Sequence, residues 1–550
     1  HTVNNGNTFS PIMDNSDTQN IGDFDIDWST RLIIVGTGEN NSSRSSYAGV
    51  GILKSNDNGK TWKNIGLNDS HHIGKIVINP NNPNEIVVAV LGHLYSKNKE
   101  RGIFKTIDGG VTWENTLYID ESTGIIDLDI SPNNFKIQFA SSWQKSRKAW
   151  DFKGNGEKSG IYKSVDSGNT WNLISTQKSG FPTGNGVGRI GLAVFDSKTL
   201  YAVVDNQFRR PKSKASTEKT DLSKNYFESI SKERFLKIDD LKLDKFLTTN
   251  SFPKKYNSTK IKELVKNDLI KPSDLKLYLE DANTVMFETP IIGAQVYRSD
   301  DGGLNWTLKN SYYLDRLYNT YGYYFGKIHV SPVNKDNIYI YGVPFIKSND
   351  GGVTYKSIDY PNVHVDHHDL WINPKNPNHI INGNDGGVNI TFDNGKHWVK
   401  CNNQAVGQFY SVNVDDKENY EVYGGLQDNG VWEAAHTATE SVRWHQSGHN
   451  PWTSIMGGDG MQIQVDNRNA NIVYTGYQFG NYFRIDRADG ARKYIQPKHK
   501  LGEAPFRFNW QTPILLSSHN NDILYMGSNK LHRSLNQGDT WEAISEDLTK

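Results

Sequence analysis

Six consecutive residues, His364-Val365-Asp366-His367-His368-Asp369, carry the densest local run of metal-ligating and acid–base side chains in the chain. Alternate positions of a strand face the same side, which makes His364, Asp366 and His368 a candidate set for one divalent cation. The same alternation means that only part of the cluster can converge. The competing reading is a polar strand entry whose side chains hydrogen-bond to neighbouring elements. Three Asp/Gly turns follow: Asn384-Asp385-Gly386-Gly387, Gln427-Asp428-Asn429-Gly430 and Gly457-Gly458-Asp459-Gly460. Asp385, Asp428 and Asp459 are the candidate catalytic residues, because glycoside hydrolysis needs two carboxylates facing across a cleft. Such turns are also the commonest way to close a hairpin. Other enzyme signatures are missing: there is no Gly-x-Ser-x-Gly, no Walker loop and no His-Glu-x-x-His.

These groups must be positioned by something, and the chain states its scaffold by repetition. Lys347-Ser348-Asn349-Asp350-Gly351-Gly352-Val353-Thr354-Tyr355 reads as a tight hairpin turn, with Asn and Asp folding back on amides and the glycines supplying positive φ. The pattern recurs at Ser55–Trp62, Thr106–Trp113, Ser164–Trp171, Ser299–Trp306, Thr391–Trp398 and Ser534–Trp541, with a weaker copy at Thr2–Phe9. A period of roughly 50 residues indicates blades or solenoid units. Around the boxes run short apolar strands such as Gly74–Asn79, Glu85–Val90 and Gly102–Lys105, separated by Asn/Pro turns. Four antiparallel strands per period predict a β-propeller. Eight boxes and two box-less units, Val422–Trp432 and Ile472–Ile485, make ten units, the first incomplete. The box carboxylates Asp57, Asp108, Asp166 and Asp300 recur in unit after unit, so they build turns rather than catalyse.

From about Arg209 to Asn283 the β pattern gives way to lysine-rich helical segments, a helical insertion between the second and third strands of one blade. The expected organisation is therefore propeller blades over 1–208, the insertion over 209–283 and further blades over 284–550. The formal charge is zero, which argues against nucleic acid or an anionic membrane as partner. A single cysteine, Cys401, excludes a disulfide framework and reads as packing. No apolar run is long enough to span a bilayer. The chain begins with His1 inside a repeat and reads as a piece of a longer protein.

The Ser-x-Asp-x-Gly-x-Thr-Trp phrase resembles the Asp-box, or BNR repeat, of sialidases, xyloglucanase-type glycoside hydrolases and sortilin-type receptors. Val35–Asn40, Asn382–Gly387 and Gly424–Gly430 look typical of large secreted bacterial proteins of that class. The resemblance implies an all-β propeller, tandem and seven-bladed by preference, with a single ten-bladed ring as the alternative. It implies a secreted, periplasmic or cell-surface location. Partners would be a glycan or polypeptide, or other cell-surface or secretion-system proteins. Ligands of propellers gather where innermost strands begin and where second-to-third-strand loops meet. That rim offers Glu39, Asn40, Arg189, His368, Asp369, Asn384, Gln427 and Trp510 as ligand-binding candidates, and its second-to-third-strand loops also carry His93 and Trp143. The favoured function is binding of a glycan or extended polypeptide on this funnel face. The rival is a glycoside hydrolase using paired carboxylates in a cleft between propellers. The sialidase version fits poorly, since of its arginine triad only Arg189 is plausibly placed. No cofactor is expected, a divalent cation being the one exception that the His/Asp cluster allows.

Overall fold

The computed structural model of the chain describes residues 1–211, 222–280, 291–318, 320–401, 404, 406–439, 441 and 450–549. Among them are nine four-stranded antiparallel sheets and one two-stranded ribbon, Ser146–Arg147 with Phe152–Lys153. The chain divides into two compact units. The first holds His1–Arg210 and Glu288–Gln404, the second Pro211–Phe287 and Ala405–Lys550.

Six sheets form the first unit, and their innermost strands are Ile21–Asp27, Ile73–Asn79, Thr123–Ser131, Val187–Val194, Lys327–Ser331 and His367–Ile372. Consecutive sheets face each other through apolar cores, and the second strands explain how. Ile86-Val87-Val88-Ala89-Val90 is wholly buried. Ile86, Val88 and Val90 enter the core shared with the first sheet, while Val87 and Ala89 enter the core shared with the third. A strand with an apolar residue at every position is what a sheet covered on both faces requires. This repeated stacking around the inner strands makes the unit a β-propeller.

Each innermost strand is a sheet edge with unpaired amides, and the adjoining blade supplies acceptors for several of them. Asp23 and Asp25 accept from Ile76 N and Ile78 N, each at 2.8 Å. Asp127 and Asp129 accept from Leu192 N and Val194 N at 2.8 and 2.7 Å. In the second unit glutamine serves instead: Gln462 and Gln464 accept from Ile514 N and Leu516 N at 3.1 and 3.3 Å.

The boxes interlock neighbouring blades. Within a box, Ser55 donates to Asp57 at 2.8 Å, and Asp57 accepts from the Thr61 amide and hydroxyl at 3.0 and 2.6 Å. These bonds, led by the Thr61 hydroxyl, hold the Asp57 carboxyl down to about 2. In the box at Ser299 this position belongs to Asp301, which takes the Ser299 hydroxyl bond at 2.8 Å. Asp300, expected as the box residue, pairs instead with Arg298 at 2.8 Å. Spacing from the serine, not mere proximity to Gly-Gly, selects the turn carboxylate.

The box indoles of Trp62, Trp113 and Trp398 donate to Ile12 O, Ile65 O and Ile358 O at 2.7, 2.8 and 2.7 Å. Residues 1–20 contain no strand, so the first of the ten expected units lacks a sheet. Its box forms all the same, with Gly6 N donating to Thr2 Oγ1 at 3.0 Å and Thr8 N to Asn4 Oδ1 at 2.9 Å. A methyl group on Gly59 would stand 2.9 Å from Ile12, and one on Gly6 would stand 2.5 Å from Cys401 Sγ. The N-terminal box therefore links the sixth sheet to the first, and buried Cys401 is its packing partner.

The second unit contains three sheets, starting at Phe409–Val414, Gln464–Val465 and Ile514–Leu516, and the helical insertion. Five helices lie between Tyr226 and Leu279. They leave the fourth sheet between Leu200–Arg209 and Ile291–Ser299, its second and third strands, as the repeat pattern predicts. Residues 212–221 and 281–290, at the ends of the insertion, lie outside the described residues. The insertion has a core of its own, including Phe227, Phe235, Leu243, Phe246, Ile261 and Leu275, which Leu501 joins. Among the described residues, no helix is long and apolar enough to cross a membrane.

Candidate functional site

The start of the inner strands in the first unit carries a chain of charges. Lys75 pairs with Asp23 at 2.9 Å and Lys327 with Asp369 at 3.6 Å. Burial opposes ionisation of Lys75, but the carboxylates of Asp23, Asp369 and Asp127 outweigh it and raise its pKa. The Asp369 side chain is half exposed at the mouth of the strands, and against its partial desolvation Lys327 and Lys75 hold its carboxyl well below the usual range. Neighbouring His329 stacks on Tyr341 at 5.7 Å and is pushed down to about 4, chiefly by burial. These charges are paired with one another within the fold and form the floor of the inner-strand end.

Above this floor opens a cavity of about 250 Å³. It gathers Glu39, Asn40, Arg189, His368 and Asp369 from the expected rim and adds Asp23, Phe24, Asn41, Tyr324, Phe325 and Lys327. His368 contacts Tyr324 edge-on at 5.6 Å and Phe325 at 6.0 Å, and its Nε2 meets Asp385 Oδ1 at 2.7 Å. Phe24 is 54% exposed although it lies in a strand. Burial raises the Glu39 carboxyl, against hydrogen bonds from Tyr47 and Ser46. Arg189 donates through Nη1 to Tyr323 O and Tyr324 O at 3.2 and 3.1 Å.

Several expected residues are used differently. Asn384 is buried and its amide donates to Asn382 and Asn389 at 3.0 and 2.8 Å, while its oxygen accepts from Gly386 N. It therefore shapes its turn and is not a rim group. Trp143 is fully buried, with its indole on Gly154 O at 2.8 Å. His364, Asp366 and His368 do not form a three-ligand group among the described residues. Asp366 adopts φ +63°, which breaks the strand alternation that the expectation assumed. His364 meets Val365 O at 2.9 Å, and His367 is buried against Asn382 at 2.7 Å. An Asp366 oxygen does lie within 4.8 Å of an Asp385 oxygen. Imidazole and carboxylate groups that could hold a metal ion are thus present, in other combinations than the one expected.

In the second unit the remaining candidates form a polar knot. Gln427 Nε2 donates to Asp428 Oδ1 at 2.8 Å and to Asp459 Oδ1 at 2.6 Å, and Asp428 N donates to Asp459 at 3.1 Å. Trp510 donates its indole proton to Tyr410 OH at 2.8 Å and meets Phe479 edge-on at 5.4 Å. Burial pushes the Tyr410 hydroxyl up to about 12, with Asp459 and Asp428 adding to the effect.

Asp23 and Phe24 escaped the sequence reading although Ile21-Gly22-Asp23 aligns with Ile73-Gly74-Lys75, so the register held the signal. Tyr324 and Phe325 carry no repeat signature. They stand in the loop before Lys327 and reach the cavity only through the tertiary fold.

No protein-family model matches the chain, and no curated protein matches it. Solved structures do. A GH74 xyloglucanase from Xanthomonas campestris aligns over 95% of this chain and 77% of its own, at 11% identity and a TM-score of 0.33. The GH74 enzyme of Niastella koreensis aligns over 96% and 78%, at 14% identity and a TM-score of 0.29. YCF48 from Cyanidioschyzon merolae aligns over 74% and 92%, at 11% identity and a TM-score of 0.34.

Proposed function

We propose that this chain is a secreted or surface-displayed binding propeller. It takes a glycan or an extended polypeptide segment in the inner-strand cavity of its first unit. The observation that carries this reading is the composition of that cavity. Aromatic edges of Phe24, Tyr324, Phe325 and His368 stand beside carboxylate, amide and ammonium groups in one concavity. Aromatic faces stack on sugar rings or side chains, and fixed polar groups bond hydroxyls or peptide units. The charges on the floor are already paired, so a ligand need not neutralise them and can be selected by hydrogen bonding and shape. Other cell-surface or secretion-system proteins would be the carriers of a polypeptide ligand.

The test is a binding screen of the purified chain against soluble polysaccharides and unfolded polypeptides, with product analysis of each polysaccharide. Retention of one ligand class is expected, weakened at least about tenfold in His368→Ala and in Phe24→Ala. Trp150→Ala, at an exposed position outside the cavity lining, is the control. Released oligosaccharide, abolished by Asp385→Asn or Asp428→Asn, would replace this reading by the hydrolase. Binding unaffected by both cavity variants would remove the cavity from it.

A further inference from the structure

Two loops of the second sheet bring together donors that no step above uses. Asp69 and His71 precede the strand Ile73–Asn79, and His93 follows the strand Asn82–Val90. One ligand atom from each of the three lies within 4.8 Å of the other two. His93 Nε2 stands 2.9 Å from Asp69 Oδ1, and the His71 and His93 rings are stacked 3.7 Å apart.

We propose that Asp69, His71 and His93 form a binding site for a divalent transition-metal ion of the zinc type. Two imidazoles and one carboxylate suit such an ion and leave a fourth position open for water or a ligand group.

The surroundings are those of a supported site. His93 Nδ1 is engaged by Ser96 Oγ at 2.7 Å, which leaves Nε2 to face the cluster, and Asn98 Nδ2 reaches Asp69 Oδ2 at 3.3 Å. Such outer contacts orient metal ligands. His71 is held in the left-handed region at φ +57°, and its carbonyl is fixed by Gly49 N at 2.7 Å. Glu100 couples electrostatically with Asp69 and His93, and its Oε2 is buried without a hydrogen-bond partner. The Asp69 amide also bonds this carboxylate, which ties Glu100 to the same loop as the ligands. The Asp69 side chain is 59% exposed, which supplies the entry path.

His93 belongs to the expected rim, but Asp69 and His71 sit in a loop between repeats, and only the fold brings them to His93.

The test uses the full chain, freed of metal by a chelator and titrated with zinc or cobalt chloride alone. Calorimetry should give one tight site, and cobalt should give the intense visible bands of a four-coordinate ion. His71→Asn, chosen because Asn tolerates positive φ, and His93→Asn should each weaken that site at least about tenfold. Zinc should raise the melting temperature of the parent chain and not that of either variant. His397→Asn, at an exposed histidine in a box, should behave as the parent. Absence of stoichiometric binding by the parent chain overturns the proposal. So does tight binding that survives both substitutions while the variants keep the parent melting temperature without metal.

Discussion

At the scale of single residues, the repeat spends its acidic side chains on backbone geometry. Box aspartates close turns, and inner-strand aspartates satisfy amides across blades. Asp129 shows the consequence. Burial pushes its carboxyl up to about 7, against the hydrogen bond from Val194 N. A carboxyl whose folded pKa lies above its unfolded value of about 4 binds its proton more tightly when folded. Its contribution to stability is therefore lost as pH rises from about 4 toward 7. Asp129→Asn keeps an acceptor for the amide and removes the titration, so the melting temperature of the variant relative to that of the parent should be higher at pH 8 than at pH 5. Asp129→Ala leaves that amide unpaired and should cost about 1–3 kcal/mol in denaturant unfolding.

At the scale of elements, stability resides in middle strands and in the corners that lock one blade to the next. Ile86→Ala empties a fully buried position between two sheets and should cost about 2–5 kcal/mol. Ile107→Ala, at a box position 70% exposed, should stay within about 0.5 kcal/mol. Gly110 combines φ +93° with a close approach, since a methyl group there would stand 2.4 Å from Ile65 Cδ1. Gly110→Ala should destabilise by about 1–3 kcal/mol despite its small volume. A urea series on the three variants checks the ranking, and equal midpoints for Ile86→Ala and Ile107→Ala would contradict the two-faced burial of the second strands.

At the scale of the whole molecule, the two units should respond differently to acid. In the second unit burial pushes His499 and His532 down to about 4. A histidine neutral in the fold but titrating near 6.5 when unfolded contributes stability above that pH, lost as pH falls toward 4. Only Glu433, raised by burial, opposes them there among the described residues. In the first unit His72, His329 and His367 titrate in the same sense, pushed down to about 3, 4 and 4. Asp129 and Asp205, both raised to about 7, act there in the opposite sense over nearly the same range. Hydrogen exchange at pH 7 and pH 4.5, corrected for intrinsic rates, should show protection lost preferentially in the second unit. His532→Gln should reduce that loss.

The repeated box, the alternating strands and the breaks in their rhythm were legible because they arise from local chemistry: serine and aspartate at fixed offsets, glycines at positive φ, runs of β-branched residues. The helical insertion was legible for the same reason, as a change of period. The inner-strand rim could be inferred by register, and the cavity holds Glu39, Asn40, Arg189, His368 and Asp369. Register could not say which side chains are spent inside the fold, as those of Asn384 and Trp143 are. It could not foresee that φ +63° at Asp366 would break the His/Asp alternation. Nor could it find Tyr324, Phe325 or His71, which stand in loops with no repeat to align. The sequence by itself determined the blades, because a blade is built from neighbours in the chain. Only the tertiary structure decided which loop residues meet above the inner strands, because that depends on how separate repeats pack around a common axis.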